Sequence, residues 1–114
     1  MRILLLALVL IVSGCAATIP AVQLAPGANK VVVAKADPDS SYELIGPVSG
    51  IDGNGCGGFG FRGTYERAFT NLLNNTHGMG GIYAQIISLS EPHSESGCYD
   101  NEYVIRATAY KKAK

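Results

Sequence analysis

The sequence predicts an α+β fold: a small mixed β-sheet covered by one helix, with elements in the order β-β-α-β-β. Three observations carry this. Val31-Val32-Val33 opens a β-branched run, which favours extended backbone. Tyr65, Ala68, Phe69, Leu72 and Leu73 recur at helical spacing and form one apolar face. Ile82–Leu89 and Tyr103–Tyr110 then return to strand composition. At 114 residues the chain holds one small domain and leaves no room for a cofactor-binding domain beside a second one. Nine basic residues balance nine acidic ones, and without the first 14 residues the balance is eight against nine, a net charge of −1. That near-neutrality argues against a nucleic-acid partner, which calls for a basic patch or stripe.

Residues 1–14 read as a signal peptide. Arg2 supplies the positive start, and Ile3 to Val12 is an apolar run of ten residues. This is far short of the roughly 20 that a membrane-spanning helix needs. Val12-Ser13-Gly14-Cys15 has the form of a bacterial lipobox, in which small residues precede a cysteine that is acylated before cleavage. Cys15 is therefore the expected lipidation site and first mature residue. Several acyl chains give stable attachment where one is marginal. Ala16, rather than Asp, after the cysteine favours an outer-membrane destination, with the domain facing the periplasm or the cell surface.

Residues 15–29 read as the lipidated cysteine and a flexible tether, carrying two prolines and no charge. The domain is expected over 30–114. After the first strand, Asp37 to Ser41 is turn chemistry. A second strand is expected from Tyr42 or Glu43 to Ile51, confined to an edge or a bulge by Pro47. Gly50 to Gly63 holds seven glycines and excludes a regular element. Gly53-x-Gly55-x-x-Gly58 formally matches a dinucleotide fingerprint, but no helix follows it directly, as phosphate binding requires. Asp52 and Asn54 hint at a calcium loop, without the closing acidic residue that the twelve-residue pattern needs. No cofactor and no metal site is expected.

Thr64 is placed to cap the helix, and His77 with Gly78, Gly80 and Gly81 marks its end. Asn74-Asn75-Thr76 spells a glycosylation sequon, set aside in a bacterial lipoprotein. Ile82–Leu89 is apolar on both faces, which suggests a central strand. Ser90–Asn101 reads as a polar loop closing a hairpin between the last two strands. The strands on either side of the helix are expected to run parallel through a right-handed crossover. Lys111, Lys112 and Lys114 end the chain in water.

With Cys15 assigned to lipid, Cys56 and Cys98 remain as an even pair in an oxidising compartment, and a disulfide is expected. The rival reading is a cysteine nucleophile, Cys56 or Cys98, served by His77 or His93.

Ile45-Gly46-Pro47-Val48-Ser49-Gly50, then Cys56, a helix, Gly97-Cys98-Tyr99 and the strand through Val104, Ile105 and Ala107 together resemble the RcsF-like family of outer-membrane lipoproteins. Its signalling member senses envelope stress for the Rcs phosphorelay. The resemblance spans about residues 43–110. It implies an RcsF-like domain in which Cys56 pairs with Cys98. The chain departs from the family sensor in two respects. Val104 stands where the last cysteine of a second disulfide would lie, and 14 uncharged residues replace a long basic, proline-rich linker.

Three function classes remain in view. The first is a non-enzymatic envelope lipoprotein acting through protein contacts, as sensor, adaptor or structural factor, with an envelope protein as partner and no catalytic residues. The second is a binding module for a small molecule or cell-wall glycan, stacking it on Tyr65, Tyr83, Tyr99, Tyr103 or Tyr110. The third is a cysteine-dependent hydrolase.

Overall fold

A computed structural model describes residues 21–57 and 62–114. The signal peptide, Cys15 and Gly58 fall outside the described residues. The chain forms β1 (Val32–Ala34), β2 (Tyr42–Asp52), α1 (Tyr65–Gly78), β3 (Tyr83–Ser90), β4 (His93–Glu95), β5 (Cys98–Asp100) and β6 (Tyr103–Lys112). Four strands make a mixed sheet in the order β1-β3-β6-β2, and β4 pairs with β5 in a separate ribbon. The fold is α+β, as the periodicities predict.

Strand order is where the expectation needs correcting. β2 and β3, before and after the helix, both pair antiparallel to β6 and so point the same way. They are not neighbours, because β6 lies between them. The hydrogen-bonded parallel pair is β1 with β3. β6 takes the middle because small side chains line its helix-facing side. Ile105, Ala107 and Ala109 are buried there, and the two alanines let the helix come close. Pro47 sits in β2, which is an edge strand carrying an irregularity between Leu44 and Gly46.

Thr64 Oγ1 accepts a hydrogen bond from the Arg67 N–H, as an N-cap does. At the other end Gly81 N–H donates to Thr76 O and Gly80 N–H to His77 O. Gly80 has φ +81°, so it is the left-handed residue of a Schellman stop. Ala68 and Leu72 are fully buried against Val48, Ala84 and Ile105. Phe69 and Leu73 pack at the margin of this core, and Tyr65 lies outside it.

β3 is central only over its first half. β1 pairs with Tyr83–Gln85 and stops, so among the described residues Ile86–Ser90 has a strand neighbour on one side alone. Ile87 is consequently 63% exposed. The stretch expected to be a polar loop contains the β4–β5 hairpin. Its two-residue turn is Ser96-Gly97, both at positive φ (51° and 79°), which is the geometry a type I′ turn requires.

The segment read as tether joins the domain from Gln23 onward. Asn74 on α1 accepts from the Ala25 N–H (2.7 Å) and donates to the Gln23 carbonyl (2.9 Å). Ala28, in a short 3-10 turn over Ala28–Lys30, is fully buried. Gly27 (φ +87°) lies against the His77 ring, where a β-carbon would come within 2.9 Å of Cε1. A left-handed residue without a side chain is what lets the chain turn there.

Candidate functional site

The glycine-rich stretch leaves β2 at Asp52 and returns at Gly63, and two buried polar side chains hold its ends. Asn101 Oδ1 accepts from the N–H groups of Asn54 (2.6 Å) and Gly55 (2.9 Å), and its own carbonyl accepts from Gly63 N–H (2.7 Å). Asp52 Oδ2 accepts from Thr64 N–H and from Arg67 Nε, each at 2.8 Å. The Asp52–Arg67 ion pair is largely buried, so the helix start and the loop end share one carboxylate. Such charge-assisted hydrogen bonds are the stronger kind, which suits a loop with little backbone stiffness of its own. Gly63 is packed so closely that a β-carbon would stand 2.7 Å from Tyr103 N.

Cys56 and Cys98 form a disulfide, with α-carbons 5.7 Å apart, which lies within the span a bridge can close. Cys56 also forms a β-bridge with Asp100, so the loop lies alongside β5. The sulfurs being bonded to each other, neither is a thiolate nucleophile in this state. The two histidines are placed elsewhere. His77 stands at the C-terminal end of α1, while Cys56 lies beyond the N-terminal end; the 14-residue helix is about 20 Å long. His93 Nδ1 contacts the Glu91 carbonyl (2.7 Å) and Nε2 the Glu95 carboxylate (3.1 Å). These contacts, the Glu91 carbonyl foremost, hold its pKa above the ordinary 6.5. Among the described residues no group of three or more His, Cys, Asp or Glu is arranged to hold a metal ion. No helix among them is long and apolar enough to cross a membrane.

A shallow cleft of about 310 Å³ opens between the helix start and the β3–β4 connection. Tyr65, Tyr103 and Pro92 line it, with Arg62 and Glu91 among its polar groups. The Tyr65 ring stacks on Phe69 (5.5 Å between centroids) and meets Tyr103 edge-on (5.7 Å). Burial, then the nearby Glu91 carboxylate, raises the Tyr103 phenol above its ordinary value of 10.0. The other tyrosines lie apart. Tyr83 and Tyr110 pack with Tyr42 on the sheet face away from the helix, and their hydroxyls are used by Ala36 O and Gln85 Oε1. Tyr99 is half-exposed on β5. Of the five tyrosines considered for stacking, Tyr65 and Tyr103 are the two that line this cleft.

The residues that matter most here escaped the sequence reading. Asn101 and Arg67 carry no motif. Asp52 drew notice only as a calcium ligand, whereas it serves the helix start. The Ser96-Gly97 turn did have a signal, since a serine-glycine pair between short polar runs is a turn marker. No protein-family model matches the chain, and no curated protein matches it.

Proposed function

We propose that the protein is a non-enzymatic envelope lipoprotein, anchored in the outer membrane through Cys15, which acts through protein contacts. The lipobox ending at Cys15 and the RcsF-like resemblance support the location. The observation that carries the mode of action is the bare half of β3. On the side away from β6, Ile86–Ser90 offers a backbone edge with no strand beside it among the described residues, flanked by the exposed side chains of Ile87 and Leu89. An open edge with apolar side chains next to it is the arrangement by which sheets accept a strand from a partner. Lys35 stands at the same groove, of about 290 Å³, and would favour a partner segment with an acidic residue.

The test is a photo-crosslinking residue at position 87 in the full chain, expressed in cells. The expected result is one discrete adduct, lost when Leu89→Asp is added. A uniform smear, or an adduct indifferent to Leu89→Asp, would contradict contact through this edge.

The second reading, a small-molecule or glycan module, draws its support from the Tyr65–Tyr103 cleft. Aromatic walls with a cation and a carboxylate at the mouth suit a sugar ring bearing charged substituents. Saturable binding of cell-wall fragments, abolished by Tyr65→Ala, would favour it over the first.

A further inference from the structure

Charge is divided along the long axis of the sheet. Four of the five lysines, Lys30, Lys111, Lys112 and Lys114, belong to the half where β1 and β2 begin and β6 ends, while Lys35 lies at mid-sheet beside Ile86–Leu89. Three carboxylates share that half: Asp37, Asp39 and Glu43. Four cations against three anions leave it at +1. The half around the disulfide holds three arginines and the remaining six of the nine carboxylates, and stands at −3. A mature chain whose net charge is only −1 is therefore dipolar.

The positive half is also where the chain enters the domain. Asn74 clamps Gln23 and Ala25 against the C-terminal part of α1, beside Met79 and the 3-10 turn bearing Lys30. Cys15 lies eight residues before Gln23, a span of at most about 29 Å. Leu24, Met79, Val32 and Leu44 are exposed in this half. Val32, Tyr83, Tyr110 and Leu44 share one cross-strand row on the helix-free face. Lysine side chains thus gather at one end of the sheet and most acidic side chains at the other.

We propose that this lysine-bearing end is a docking face for an anionic phospholipid surface, the membrane that carries the protein's own acyl chains. The proposal rests on the reading of Cys15 as lipidated. Basic side chains near an anionic surface are attracted within about a Debye length, roughly 8–10 Å in physiological salt. The −3 end is repelled by the same field, so the two ends act together to set one orientation. The domain stands on the membrane by its lysine end and presents the disulfide end and the Tyr65–Tyr103 cleft away from it.

The test uses the mature lipoprotein in vesicles of phosphatidylcholine, with or without phosphatidylglycerol, neither of which carries a primary amine. Lysine acetylation is followed residue by residue by mass spectrometry. The expected result is labelling of Lys30, Lys111, Lys112 and Lys114 slowed about fivefold on the anionic vesicles, with the protection removed by high salt. In the variant Lys111→Glu/Lys112→Glu/Lys114→Glu, protection of Lys30 should also be lost. Equal labelling on both vesicles in a chain that remains anchored overturns the proposal alone. Equal protection on neutral and anionic vesicles overturns it too, because the contact would then not be electrostatic. A mature chain without acyl groups on Cys15 overturns the anchoring, and the docking face with it.

Discussion

Single residues decide how closely helix and sheet approach. Gly50 lies under α1 where a β-carbon would stand 2.6 Å from Leu72 N and 2.7 Å from Leu72 Cβ. Those atoms belong to the helix itself and cannot swing aside, so the whole element would have to lift. Gly50→Ala is therefore expected to destabilise the fold by about 1–3 kcal/mol. Gly78, the last residue of α1, has nothing within 4 Å of the same virtual atom. Gly78→Ala should be neutral or stabilising by up to about 1 kcal/mol. Urea unfolding of both variants checks the contrast, and equal losses would mean the helix does not rest on Gly50. Neither outcome could be read from composition, since the two glycines differ only in what stands opposite them.

At the scale of elements, α1 protects the edge of the sheet it covers. Asn71 and Asn75, one turn apart, donate to the carbonyls of Ile51 (2.8 Å) and Ser49 (2.7 Å) on the outer side of β2. Two residues along a strand and four along a helix both advance about 6–7 Å, so a pair of asparagines can serve a pair of edge carbonyls. Two of the three sequon residues thus have a structural purpose: Asn74 binds the entering chain and Asn75 the edge. The β4–β5 hairpin has a pH dependence of its own. His93 has its pKa raised, first by the Glu91 carbonyl and then by Glu95. A base whose pKa is higher folded than unfolded adds stability that is fully present below the unfolded value of about 6.5. That contribution is lost as pH rises through the folded value. An NMR titration of the His93 ring should give a midpoint above 6.5, lowered in Glu95→Gln but not fully restored, because the Glu91 contact is to backbone. A midpoint at 6.5 in the native protein would contradict the contacts.

For the whole molecule, periodicity made the helix and the four strands of the main sheet legible, and residue chemistry the edge position of Pro47 and the cap at Thr64, while the β4–β5 hairpin reads as a loop. Periodicity could not order the strands, because alternation reports which face a residue takes and not which strand lies beside it. The insertion of β6 between β2 and β3 follows from the small side chains of Ala107 and Ala109, meaningful only once the helix is above them. The candidate site was legible at its cysteines and at Tyr65 and Tyr103. Its polar braces, Asn101 and Asp52 with Arg67, act across more than ten residues of chain and leave no local pattern. The central claim is a lipid-anchored domain whose remaining two cysteines are structural. Intact mass of the mature protein, taken after alkylation without reduction, tests it most directly. The account predicts a chain beginning at an acylated Cys15 with no alkylated thiol. A chain that retains residues 1–14, or carries an alkyl group on Cys56 or Cys98, would contradict it.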